Sequence, residues 1–345
     1  MHVFSGCYTA SATPMNKGRE VDYEGLKQLV EFQTEQGVSG ILAVGTTGES
    51  PTLTWEEHIE VIGKVYEYAD GKCLTIGGTG SNNTEESLEA TREVSDSGIE
   101  CILLVDPYYN GPSSLEIRTE YVEPIAAEFP HIQVIPYVIP GRSGTQLLPQ
   151  DLAVLNAQFE NVRTVKEATG NPENMRLTRR LCGEDFDILS GDDDKTYAMM
   201  MDPEIGASGV VSVGSNVAPA AVQRLVKTTL EGESDESERL CGALKPLFSM
   251  VTVKTQEDTP FGPALCKARN PLPYKTLMNV LGMPSGPCRR PLGKMTKQGL
   301  QTVLEVARTV YEETPEILEP IEGFFDVDLS ERLCSDTSWR GLTYA

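Results

Sequence analysis

Lys166 lies at the end of an apolar run, in the stretch TVKEATG at 164–170. Burying an ammonium is costly unless it is paired or loses its proton. One reading is that Lys166 snorkels to water and pairs with Glu167. The other is a nucleophile: desolvation lowers an amine from about 10.4 toward ~7–8, where its neutral form attacks a carbonyl. Imine formation also needs proton transfers, because the carbinolamine must lose water. The Tyr137 phenol is the candidate shuttle, with Thr46 and Tyr109 as relays to solvent; packing at a rim would equally explain Tyr108 and Tyr109. The segment GTTGES at 45–50 offers backbone N–H groups just ahead of a helix, a turn suited to a carboxylate or phosphate. Arg142 follows a Pro-Gly turn and could hold a second carboxylate bidentately, or pair with a surface acid.

These residues need a scaffold that gathers them. Short apolar runs at 6–10, 41–44, 74–77, 102–105, 133–137, 162–165, 186–189 and 209–213 read as eight strands. The segments between them read as helices. Asp22 is placed to cap one; Thr54 with Glu57, Asn83 with Glu86 and Ser113 with Glu116 read as capping boxes. Pro124 should kink or break the helix that contains it. Eight strands alternating with helices fit a (β/α)8 TIM barrel, whose reactive side chains lie at the C-terminal strand ends. GTTGES, DPYYNGPS (106–113), YVIPGRSG (137–144), Lys166 and SGDDD (190–194) all fall at such ends. The rival is a doubly wound sheet, but no G-x-G-x-x-G opens the first helix. After an acidic stretch at 231–240 only helical periodicity is read, around 244–253, 274–281 and 300–311. The expected organisation is a barrel over 1–230, a C-terminal helical domain over 231–320, and a tail of unassigned role over 321–345.

The chain has 345 residues and a net charge of −22. That balance argues against nonspecific binding to nucleic acid or anionic membranes, which needs a basic face. No run approaches the ~18–20 apolar residues of a membrane span. The N-terminus MHVFSGCYTASATPM lacks the basic start and apolar core of a secretory signal. A cytoplasmic location is expected, with the eight cysteines reduced and mostly buried. The three histidines are scattered, so no metal site is expected, nor any cofactor.

Taken together, GTTGES, PYYN, KEATGN (166–171), SGDD (190–193) and NPLP followed by Lys275 resemble the dihydrodipicolinate synthase family. That family belongs to the class I pyruvate aldolases, which include N-acetylneuraminate lyase. The resemblance spans roughly residues 4–312. It implies a Schiff-base lyase of lysine and diaminopimelate biosynthesis that condenses pyruvate with L-aspartate 4-semialdehyde, as a homotetramer of two tight dimers. By the same resemblance Lys166 forms the imine, and Tyr137 relays protons with Thr46. Tyr109 reaches into a neighbouring subunit. Thr46 and Thr47 receive the pyruvate carboxylate, Arg142 that of the semialdehyde, and Gly191 and Val211 line the pocket. Arg142 and GTTGE point to a synthase rather than a sugar-acid lyase. Ser50, His58, Asn82, Glu86 and Tyr108 match a lysine-binding regulatory site, with Trp55 replacing a histidine. Two departures stand out. Val138 replaces an asparagine, and Pro136 sits where a strand residue would donate a ladder bond. Both leave the second substrate open, and they favour the alternative of a pyruvate-releasing aldolase or dehydratase acting on a sugar acid or aromatic substrate.

Overall fold

The computed structural model describes residues 4–344. Eight parallel strands close in sequence order: β1 Gly6–Ala10, β2 Gly40–Ala43, β3 Leu74–Gly78, β4 Cys101–Val105, β5 Gln133–Val138, β6 Thr164–Glu167, β7 Asp187–Ser190 and β8 Gly209–Ser212. The seam is tight: a Cβ on Gly209 would lie 2.1 Å from the Gly6 carbonyl oxygen, so no larger residue fits where β8 meets β1. Side chains alternate along each strand. Leu42, Ile76, Leu103, Ile135, Leu189 and Val211 fill the barrel, while Ile41, Ile102, Val134 and Val165 turn outward onto the helices. Both faces are therefore apolar, which is why these strands read as runs rather than as alternation.

Helix starts follow local chemistry. Thr54 with Glu57 and Ser113 with Glu116 form complete capping boxes, and the Asp22 side chain accepts from the Gly25 N–H. Asn83 does not share a box with Glu86. Its side chain accepts from the Glu85 N–H, and the Glu86 carboxylate is taken by the Ser81 hydroxyl at 2.5 Å. Pro124 interrupts its helix as its missing N–H requires: a π-helical turn, Arg118–Val122, precedes Glu123–Glu128, where the proline occupies the second position.

The C-terminal part differs from the expected run of helices. The acidic stretch starts the helix Ser234–Phe248. An antiparallel hairpin follows, β9 Thr252–Thr259 and β10 Gly262–Arg269, with Phe261 fully exposed at its tip. Only the base of one face is buried, at Val253 and Thr255, so no apolar alternation marked it. The available signal was the β-branched run at 252–255 ahead of Pro260-Phe261-Gly262. The helices Leu272–Leu281 and Lys297–Glu313 pack on β1, β8 and the helix Pro219–Glu231. The unassigned tail forms Glu319–Phe325 and Leu329–Cys334. Phe324 and Phe325 each set their ring 5.2 Å from that of Phe32, and Arg332 donates to the Val280 and Asn279 carbonyls. Among the described residues no helix is long and apolar enough to cross a membrane, and all eight cysteines are free.

Candidate active site

Lys166 lies inside β6 rather than just beyond it, in direct register with Tyr137 on β5. Because the two strands are parallel and in register, both side chains point into the barrel. The Lys166 Nζ sits 4.1 Å from the centre of the Tyr137 ring, and the lysine is 5% exposed. Snorkelling is thereby excluded in the folded chain. Burial lowers the amine to about 8, against the opposing pull of Asp192 and Asp193; Arg142 lowers it further. At pH 7.5 roughly a quarter of such amines are neutral, against ~0.1% of free lysines. Burial pushes the Tyr137 phenol well above its ordinary value, with the Thr46 hydroxyl as a hydrogen-bond partner. The phenol therefore stays protonated and can donate.

The turn after β2 is built under constraint. Val44 and Glu49 adopt positive φ, 56° and 61°, which is strained for a β-branched residue. The Ser50 N–H donates to the Gly45 carbonyl and the Thr13 hydroxyl to the Gly48 carbonyl. Glu49 is fully buried against Lys275, Nζ to Oε1 2.6 Å, and its other oxygen accepts from the Arg289 N–H at 2.7 Å. Lys275 also donates to the carbonyls of Thr13 and Pro287. A sequence motif noted only for resemblance thus supplies the clamp on the GTTGE turn.

Asn270, at the foot of the hairpin, opens the NPLP segment, in which the sequence alone assigns it no role. Its side-chain amide donates to the Thr47 hydroxyl at 3.0 Å, and its backbone carbonyl accepts from Arg142 at 3.3 Å, so it ties the turn to the arginine. Asp193 was also passed over as a single residue. Its carboxylate accepts from the Val213 and Gly214 N–H groups. A third buried acid, Asp106, closes β4; burial pushes it up to about 8, and it accepts from the Leu147 N–H. The only signal for these three was their place inside the segments DPYYNGPS, SGDD and NPLP.

Val44, Thr46, Ser50, Tyr108, Tyr137 and Arg142 share a cavity of about 240 Å³. Gly191 backs Lys166: a Cβ there would meet Ala168 at 2.8 Å and the Lys166 Cε at 3.3 Å, so glycine leaves the amine room. Val211 faces the barrel interior. Lys166 and Thr47 lie behind the lining residues rather than in the cavity wall, and Tyr109 is not among the lining residues either. Tyr109 stands apart at the surface. It is 89% exposed with φ 80°, and its N–H donates to the Ser143 carbonyl. The regulatory set is only partly gathered. Ser50 and Tyr108 meet at the cavity, and Tyr108 and Asn82 line a neighbouring one of about 320 Å³. His58 is turned inward, with Nε2 2.6 Å from the Gly78 carbonyl and its ring 4.7 Å from that of Trp55. Burial lowers its basicity. Glu86 is held by Ser81.

The two departures on β5 fall away from this geometry. Val138 packs in the layer between barrel and helices, not in the cavity. Val134 donates to the Asn161 carbonyl and Val138 accepts from the Ala168 N–H, so by strand alternation the nitrogen of Pro136 faces β6. The β5–β6 ladder begins only after it, at Tyr137 and Lys166. The lost bond lies before the Tyr137–Lys166 pairing, which is intact.

A family model, the dihydrodipicolinate synthetase family, matches residues 3–310. A 4-hydroxy-tetrahydrodipicolinate synthase of Methanococcus maripaludis is 38% identical over 292 residues, 85% of this chain and 93% of that protein. The crystal structure of dihydrodipicolinate synthase from Aquifex aeolicus is 35% identical with a TM-score of 0.81, over 92% of this chain and 100% of that one. The enzyme from Cyanidioschyzon merolae, solved with lysine bound, is 34% identical with a TM-score of 0.81, over 90% and 99%. A closed barrel carrying this lysine, this tyrosine and this turn, matched over nearly nine-tenths of its length, belongs to the dihydrodipicolinate synthetase family.

Proposed function

We propose that this chain is a 4-hydroxy-tetrahydrodipicolinate synthase, condensing pyruvate with L-aspartate 4-semialdehyde through an imine on Lys166. The observation that carries the reading is the buried Lys166 amine set against Tyr137. The neutral amine attacks the pyruvate keto carbon. The phenol passes a proton to the carbinolamine oxygen, and water leaves. Loss of a methyl proton gives the enamine, whose carbon attacks the aldehyde of the second substrate. That substrate's amine then attacks the imine carbon, closes the ring and displaces Lys166. No oxidation occurs, and the lysine is regenerated. Thr46 and Thr47 receive the pyruvate carboxylate at the strained turn. Arg142, held by Asn270, receives the second carboxylate; Gly191 and Val211 shape the pocket.

Pyruvate consumption that depends on aspartate semialdehyde tests the reading; consumption indifferent to it overturns it. Arg142→Ala should raise KM for the semialdehyde at least about tenfold, the loss of one charge-assisted contact, and leave pyruvate KM within about twofold. Steady-state kinetics with each substrate varied checks this, and equal losses would contradict the role of Arg142. Tyr109 completes the relay only from a second copy, so the proposal includes assembly of the chain; a fully active monomer in sedimentation would remove that part. Feedback by lysine at Ser50, Trp55, His58, Asn82, Glu86 and Tyr108 belongs to the same proposal, and a flat activity curve against millimolar lysine removes it.

A further inference from the structure

On this acidic chain, one surface hollow has a charged lining that is entirely basic. The loop at 15–19, the segment 286–294 and the tail at 340–344 meet around two adjoining cavities of about 580 and 700 Å³, which share Arg19, Gly293 and Lys294. Lys17, Arg19, Lys275, Arg290, Lys294 and Arg340 line them, and no Asp or Glu does. The chain carries 51 acids against 29 bases, so five unpaired bases with no acid among the described lining residues, beside a Lys275 already neutralised by Glu49, are the reverse of its surface at large. Among the described residues Lys17, Arg19, Arg290, Lys294 and Arg340 form no ion pair; the Arg19 guanidinium donates to the Cys288 carbonyl at 3.2 Å. The wall is built rather than accidental. The Met295 N–H donates to the Leu342 carbonyl and the Tyr344 N–H to the Met295 carbonyl, which pins the tail across the opening.

Gathering like charges costs Coulomb energy unless a counter-charge sits among them. A volume of this size suits a small organic molecule rather than a single simple anion. We infer that this cavity binds a small organic polyanion carrying two or more phosphate or carboxylate groups, at a site separate from the barrel cavity. The two share no lining residue. They are nonetheless linked, because Lys275 lines the polyanion cavity and also holds Glu49 of the GTTGE turn.

Titration calorimetry on the full chain at low ionic strength, without substrates, tests the site whatever the reaction is. The probes are pyrophosphate, ATP and citrate. Saturable binding of at least one is expected, weakened at least about tenfold in Lys294→Glu/Arg340→Glu and retained within a few-fold in Arg340→Lys. A circular-dichroism melt verifies that the variants fold. Binding of citrate but not the phosphates, or the converse, identifies which anion class the site takes. No heat from any probe, or equal binding by the folded double variant, overturns the inference.

Discussion

Replacing Lys166 by methionine should abolish the borohydride-trapped pyruvate adduct, read by mass spectrometry, and with it turnover above the uncatalysed background. The reason is covalent: among the described residues no other amine is in register with Tyr137 inside the barrel. The same variant should be more stable than the parent. In the folded chain the amine titrates at about 8, below its unfolded value near 10.4. Between those values the unfolded chain binds a proton that the folded chain does not, so this group's contribution to stability rises with pH across that window. Below pH 8 both states are protonated and the folded chain bears the full cost of the buried charge, at most about 3 kcal/mol by linkage. Lys166→Met should therefore raise the unfolding free energy at pH 7 by up to that amount, with the gain fading from about pH 8 upward and gone above about pH 10. A denaturant series at several pH values measures it. The parent's rate of imine formation should climb with pH and level off above about 8, because only the neutral amine attacks. A persistent adduct in the variant, or a parent rate still rising steeply toward pH 10, would contradict the assignment.

Lys275→Met should be the most damaging substitution outside the barrel cavity. It leaves the Glu49 carboxylate fully buried with a single backbone donor, from Arg289. Removing one partner of a buried pair costs about 3–5 kcal/mol, because the other charge stays uncompensated. The turn carrying Thr46 and Thr47 then loses its clamp while Val44 and Glu49 keep their strained φ. Pyruvate KM should rise along with the loss of stability. Glu49→Gln/Lys275→Met should recover part of the stability, since no bare charge remains. Chemical denaturation paired with pyruvate kinetics separates the effects. Unchanged stability and KM in the single variant would mean that the pair does not hold the turn.

The barrel and its chemistry were legible in the sequence for a common reason. A strand covered on both faces must be apolar along its length, so eight short runs announce themselves, and a lysine, a phenol and a glycine-threonine turn at their ends stand out as exceptions. Lys166, Tyr137, Thr46 and Arg142 could thus be named as candidates. What lay beyond reach depended on contacts between distant segments. The β9–β10 hairpin buries only its base, so solvent on its other surfaces erased the alternation that would have marked it. Asn270 matters only because the chain returns it to Thr47 and Arg142, more than a hundred residues away from each. That Val138 packs outside the cavity could not be seen until strand register turned its side chain toward the helices. Composition and period report the average environment of a residue. They carry no information about which far segment arrives beside it, and at Glu49–Lys275 and in the basic cavity that arrival is the whole of the physics.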